Sequence, residues 1–547
     1  MTTNTDIQTL LSELSAKIYD NYDPHNPQIY LDRAKLYAEL GFHDLSAADA
    51  YRALTLLECV IEPDSAEYVA QRRVDNPSEG EDDEEEEFIE ITESEYESMI
   101  GETYLLLVQS LVKCGCLRDA SEFRGRATEH LTSLDTDFRE IISRLRSVDK
   151  RLDIPAEKMA SLPGQGYARR VLYSWNAHEP DRKAPETLNL LNKRLETVAP
   201  NLEVKAVALP ALHGDANTEQ EGEVSIQLGL FAKRDLQAGE IILRESSLLT
   251  ATNRLHDDLC DACNGPLPDL SSTTDDDSGG GRAVACASCD DTIFCSQTCH
   301  DEAQETYHGA ICGQEGLDSI GKDIADPKDK ADYLYFLLLG RAIAMAATQD
   351  VHPLELPEIK YIWGDFHDYH PDSDGGDDRS KDEYSLPFSF QLNILQPTRL
   401  LEEMGLDPFT TLNRYDTWIL NTLYAKFRGT ASGRLSTWDG GPEVCAVHPL
   451  WCLANHSCDP NVRWEWGGEI CFMVRKKEEK AVWRREIDGA KEERVPEQKG
   501  EIMIRKGEEI LNHYCDIGID VGERREWASG ALGGFCQCAR CQWEAAE

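Results

Sequence analysis

Eighteen cysteines in 547 residues are unevenly spread, and the dense stretches have metal-ligand spacing. From Cys260 the order is Cys260-x2-Cys263, 22 residues, Cys286-x2-Cys289, five residues, Cys295-x3-Cys299, eight residues, His308-x3-Cys312. Seven thiols and one imidazole make eight donors, the number that two tetrahedral zinc ions take. Short spacings let one turn present two donors. An x3 spacing puts His308 and Cys312 on one helical face, which lifts this histidine above a lone one. A second run, Cys536-x-Cys538-x2-Cys541, is one donor short of a tetrahedron. The best candidate for the missing donor is Cys458, in the string Asn455-His456-Ser457-Cys458-Asp459-Pro460-Asn461. Redox chemistry of the Cys-x2-Cys pairs is the alternative; four clustered pairs that include a histidine favour metal. The other thiols, Cys59, Cys114, Cys116, Cys445, Cys452, Cys471 and Cys515, read as small core hydrophobes.

These residues need a scaffold, and the chain is long enough for several domains. Residues 1–150 read as helical. Two stretches, Ile29 to Glu58 and Thr103 to Leu131, each carry a Gly followed twelve residues later by an Ala (Gly41 and Ala53, Gly115 and Ala127). Helix, Gly turn, helix with a small crossing residue resembles the tetratricopeptide plan. Between them, residues 79–97 hold twelve Asp or Glu in nineteen, which reads as a solvated insertion. Residues 151–222 read as a bridge with a helix over 184–198. From Val224 to Glu245 two apolar runs flank a turn at Asp235 to Gly239, the pattern of a hairpin. Residues 386–430 read as helical. Short strands return at 462–466, 470–474 and 502–504, and the charged stretch 476–500 reads as a solvated insertion between strands. The fold class is α+β.

Asp and Glu number 101 against 55 Lys and Arg, a formal charge of −46. Such a chain repels phosphate backbones, so no nucleic-acid partner is expected, and a basic or Lys-rich peptide fits better. The most apolar stretch, Tyr333 to Gly340, reads as a core helix rather than a membrane span. The first residues, MTTNTDIQTLL, lack the basic and apolar regions of a secretory leader. The expected location is cytoplasmic and/or nuclear.

The spacing from Cys260 to Cys312, with Phe294 to Cys299 (FCSQTC), resembles a MYND zinc finger. That resemblance implies interleaved sites: Cys260, Cys263, Cys295 and Cys299 in one, Cys286, Cys289, His308 and Cys312 in the other. Asn455 to Asn461 (NHSCDPN) resembles the core motif of SET-domain protein lysine methyltransferases. Gly229 to Glu245 resembles the SET opening, Gly507 to Asp516 (GEEILNHYCD) the closing motif, and Phe535 to Cys541 (FCQCARC) the post-SET zinc segment. A finger placed after the opening segment is similar to the order in the SET- and MYND-domain branch of that family. The resemblance covers residues 224–547 and, joined to the helical reading of the first 150 residues, gives the following boundaries. Residues 1–150 form a tetratricopeptide-like region and 151–222 a linker. Residues 223–255 form the first part of SET, 256–314 the finger and 315–440 a helical insertion. The core SET domain spans 441–520 and the post-SET segment 521–547.

The resemblance further implies S-adenosylmethionine as cofactor, three structural zinc ions, and methyl transfer to a lysine side chain of a histone or non-histone protein. Tyr514 would align the reaction. Leu228, Gly229, Leu230, Asn421, Asn455, His456, Tyr514 and Phe535 would line the cofactor. Cys458, Cys536, Cys538 and Cys541 would hold the third zinc and fold the tail over the cleft. The chain departs from the family at the opening turn, where Gln227 replaces a glycine and Leu228 takes a polar or basic position. The rival reading is an inactive, zinc-stabilised scaffold whose finger and helical repeats bind peptides.

Overall fold

The computed structural model describes residues 4–20, 24–61, 92–210, 224–253, 258–268, 282–289, 292–321, 327–364, 366–368, 385–436, 441–487, 490–495, 502–532 and 534–546. Residues 79–91 of the acidic insertion and the Gly- and Asp-rich loop 270–281 lie outside the described residues. The chain divides into two compact units. One takes Met1–Val171, Asp368–Arg379 and Ser385–Asn421; the other takes Leu172–His367, Ser380–Tyr384 and Thr422–Glu547.

The first unit is built on helices Pro27–Glu39, His43–Ile61, Glu93–Cys114 and Leu117–Ser133. His43–Ile61 packs on both Pro27–Glu39 and Glu93–Cys114. Glu93–Cys114 starts in a capping box: Thr92 Oγ1 accepts from the Glu95 N–H, and Glu95 accepts from the Thr92 N–H at 2.9 Å. It ends at Gly115, whose φ of +89° a side chain would resist. Gly41 makes the matching turn at φ +75°. Ala53 and Ala127 are fully buried, as small residues at helix crossings are.

The stretch expected to be helical from 386 begins instead as a strand. Ser385–Ser389 pairs antiparallel with Gln165–Arg169. Leu386 and Phe388 alternate inward, a period of two that the helical reading overlooked. One wide helical turn, Gln391–Leu395, then leads into Gln396–Glu403. Gly166, opposite Phe388, is obligatory, because a Cβ there would lie 1.9 Å from the Cys114 carbonyl oxygen. A buried ionic cluster ties these parts together. Arg33 meets Asp49 at 2.6 Å and Asp416 at 3.0 Å, and Arg52 meets the same carboxylates at 2.7 and 3.2 Å.

The second unit holds the strand-rich core. Val224–Ala232 pairs antiparallel with Leu202–Pro210, whereas Ile241–Ser246 pairs with Glu469–Val474. The expected hairpin across Asp235 to Gly239 is therefore a corner between two sheets. Its residues Leu236–Gln237 pair with Ile502–Ile504, so the chain is drawn sideways rather than back on itself. Glu469–Val474 also carries Val462–Trp466, whose Trp464 and Trp466 pack on the core as sheet residues do. The charged stretch after Lys476 is more ordered than its composition implies. Trp483–Ile487 and Ala490–Arg494 form a hairpin with Arg484 facing Glu493 and Arg485 facing Glu492.

The segment Lys330–Thr348 is long and apolar enough to cross a membrane by length and composition. In the fold, helix Pro327–Thr348 lies against strands Thr250–Thr252 and Pro442–Ala446, with Phe336, Leu338, Leu339, Ile343 and Met345 fully buried. That is the burial of a core helix.

Candidate active site and metal centres

Three groups of four donors come together, each with its ligand atoms within 4.8 Å of one another: Cys260, Cys263, Cys295 and Cys299; Cys286, Cys289, His308 and Cys312; Cys458, Cys536, Cys538 and Cys541. Local structure sets each. Ser296 caps helix Gln297–Thr306 by accepting from the Cys299 N–H at 3.1 Å, which fixes Cys299 one turn from Cys295. Backbone N–H groups of Gly265, Ser288 and Cys538 point at the sulfurs of Cys263, Cys286 and Cys536 at 3.4, 3.4 and 3.5 Å, as they do around thiolates. With Zn–S near 2.3 Å, sulfurs on a tetrahedron sit about 3.8 Å apart. Cys263–Cys295 and Cys286–Cys312 are 3.8 Å apart, Cys295–Cys299 3.6 Å and Cys458–Cys536 3.9 Å. The His308 Nε2 lies 3.3 and 3.5 Å from the sulfurs of Cys286 and Cys289. Each group could hold a metal ion, and the donor set suits zinc.

Asn455, His456 and Tyr514 meet through one pairing that local sequence does not encode. Asn455–His456 runs parallel to Leu511–Asn512, Asn455 beside Leu511 and His456 beside Asn512. This brings Tyr514 against His456. The Tyr514 N–H donates to His456 Nδ1 at 3.0 Å, so the ring proton sits on Nε2. Nε2 lies 3.3 Å from Cys458 Sγ and donates to it. His456 thus links the third donor group to the backbone of Tyr514, and both its nitrogens are engaged. Burial pushes this imidazole down to about 4, so it is neutral at pH 7. The Tyr514 hydroxyl donates to the Ala454 carbonyl at 2.8 Å. Burial raises its pKa well above the ordinary phenol value, which keeps it protonated.

The Asn455 Nδ2 donates to the Leu228 carbonyl at 3.0 Å and to Glu509 Oε1 at 2.7 Å. Leu228 and Leu230 point into the core, at 4% and 0% exposure, so at this turn the opening strand offers Asn455 its backbone. Gly229 faces the other way. A Cβ on it would come 2.6 Å from Glu509 Oε1 and 3.0 Å from Asn455 Nδ2. Phe535 is half-buried next to Cys536. Asn421 lies in the first unit at 2% exposure; it donates to Asp44 at 2.8 Å and accepts from Asn393 at 3.3 Å.

Sequence reasoning passed over Glu509 and Arg540 here. Glu509 sits inside the quoted segment Gly507 to Asp516, where its acidity was the available signal. Cys515, read as a core hydrophobe, is 4% exposed in the core, and its sulfur lies close to His456 and Cys458. Arg540, between two cluster cysteines, donates to the carbonyls of Cys458 and Ile517 at 2.8 and 2.9 Å and pairs with Glu544 at 2.9 Å. It fastens the C-terminal segment to the turns that follow Asn455–His456 and Tyr514.

Residues 227–481 match the family model described as SET domain. That match supports a protein lysine methyltransferase family. The matched span includes the first two donor groups, Gly229 and Asn455; Glu509, Tyr514, Phe535 and the cysteines from Cys536 onward lie beyond it. No curated protein matches the chain.

Proposed function

We propose that the chain is an S-adenosylmethionine-dependent protein-lysine methyltransferase stiffened by three zinc ions. The observation that carries this reading is the convergence of Tyr514, Asn455 and the Leu228 carbonyl around the parallel pair Asn455–His456 and Leu511–Asn512. The cofactor, when bound, supplies a methyl group made electrophilic by its sulfonium. The protein's task is orientation, and no strong base is required at the reacting centre. The Tyr514 proton is committed to the Ala454 carbonyl, so the phenol oxygen is left as an acceptor toward a lysine N–H. Being neutral, it holds the amine without ion-pairing to it. His456 fixes the Tyr514 backbone against Cys458, so a metal in the third group steadies the phenol. Cys536 in the same group anchors the neighbouring Phe535 for adenine packing.

Residues 256–314 act as a MYND-type finger and the N-terminal helix pairs as tetratricopeptide-like units, both able to take peptide partners in cytoplasm or nucleus. The test is isothermal titration of S-adenosylmethionine into zinc-replete protein, together with mass spectrometry of Lys-rich peptides. Tyr514→Phe is expected to keep cofactor affinity and to lose roughly 100-fold in methyl transfer, the scale set by misplaced reactants. A folded wild-type protein that binds no cofactor would leave the scaffold reading in its place.

A further inference from the structure

Asn455 has two N–H groups on its side-chain amide, and both are spent, on the Leu228 carbonyl and on Glu509 Oε1. The amide can therefore offer a ligand only its oxygen, which receives no hydrogen bond among the described residues. Glu509, half-buried beside it, has no ion-pair partner among the described residues. The cation nearest in register is Lys205, opposite Gly229; it pairs with Glu203 at 2.6 Å and lies over the Phe231 ring. The missing side chain of Gly229 leaves this carboxylate room against the strand. The result is a small patch that accepts hydrogen bonds and donates none: the Asn455 oxygen, the Glu509 carboxylate and the Leu228 carbonyl. Burial already raises the Glu509 pKa, a cost that a bound cation would reverse.

We propose that Glu509 is the carboxylate that binds the α-ammonium of the cofactor's amino-acid arm, in company with the Asn455 oxygen. This rests on the cofactor reading above and adds a residue and a charge to it. The ammonium offers three donors and a positive charge, which suits two side-chain acceptors and a carbonyl. A carboxylate ligand group would be repelled from the same patch. The lysine substrate is served elsewhere, at the phenol oxygen of Tyr514.

The test is titration calorimetry with S-adenosylhomocysteine and with its deamino analogue, which lacks only the ammonium, on wild type and Glu509→Gln. Glutamine keeps an acceptor for Asn455 Nδ2, while the substitution removes the charge and replaces the second acceptor oxygen by an N–H donor. Unchanged melting temperature and metal content will show that the variant is folded. The expected result is at least a tenfold weaker binding of S-adenosylhomocysteine by Glu509→Gln, with the deamino analogue weak and equal on both proteins. Equal binding of S-adenosylhomocysteine by both proteins overturns the assignment, as does a loss shared alike by the two ligands. A variant that binds the nucleoside normally but shows a raised KM for a lysine peptide would move Glu509 to the substrate and also overturn it. Wild-type protein that binds neither nucleoside removes the cofactor reading itself, a result distinct from these.

Discussion

Glu245 is a carboxylate in the wrong place for its charge, and that makes the stability of the strand-rich unit depend on pH. It is 5% exposed, and its oxygens accept from the Leu450 N–H at 3.0 Å and from the Trp451 N–H at 2.7 Å. Desolvation outweighs those two bonds, so its pKa rises from 4.5 to about 7. In the window between those values the folded chain holds a proton that the unfolded chain has released. Stability therefore falls as pH rises through the window. The contribution is fully present below the unfolded value and is lost once pH passes about 7. A tenfold difference in proton affinity between folded and unfolded chain is worth about 1.4 kcal/mol, so the linkage amounts to roughly 2–3 kcal/mol between pH 5 and pH 8. Glu245→Gln removes the titration. A glutamine oxygen at the Oε2 position keeps the Trp451 bond and the 3.2 Å Leu450 bond but loses the 3.0 Å one at Oε1, a cost that does not vary with pH. The assay is thermal or urea unfolding of both proteins across pH 5 to 8, followed by tryptophan fluorescence. The variant should gain on wild type steadily as pH rises, with the gain levelling above about pH 7.5. A stability difference that is constant across that range would sink this account of Glu245, because other titrating groups cancel in the comparison.

Other outcomes follow from the same geometry. Metal analysis of purified protein should find three zinc ions, and Cys541→Ser should lower the count by one while leaving the two groups from Cys260 to Cys312 loaded; a full complement in that variant would argue against the third group. Gly229→Ala should weaken S-adenosylmethionine binding about tenfold with little change in melting temperature, because the new Cβ displaces the flexible Glu509 tip rather than backbone. An unchanged Kd would show that the Gly229 face is not part of the site. Arg33→Met leaves two buried carboxylates with only Arg52, and should cost the helical unit about 3 kcal/mol or more in unfolding experiments. A variant as stable as wild type would mean that Arg52 alone neutralises the cluster.

Much of this protein was legible in its residue order. Cysteine spacing is a local property: Cys-x2-Cys and His-x3-Cys set the reach of each donor pair. Which pairs share a site came from the finger resemblance rather than from spacing, and the donors that lie together have those memberships, with the remote Cys458 in the third group. Glycine turns are local too, which is why Gly41 and Gly115 marked the helix pairs. Charge density after Lys476 marked a solvated insertion between strands, and cross-strand Arg–Glu pairs give that insertion the form of a hairpin. One error came from a local cue that meant something else. Two apolar runs around Gly239 stood for a hairpin, but each strand found a better partner: residues 202–210 for one, residues 469–474 for the other.

Which groups act on one another was settled only in three dimensions. The parallel pairing of Asn455–His456 with Leu511–Asn512 joins segments far apart in the chain, and no periodicity records such a pairing. From it come the histidine tautomer, the tie between Cys458 and Tyr514, and the encounter of Glu509 with Asn455. Residue types and spacings fix what chemistry a chain can perform. Only the long-range backbone hydrogen bonds, closed when the sheets assemble, fix where that chemistry is aimed.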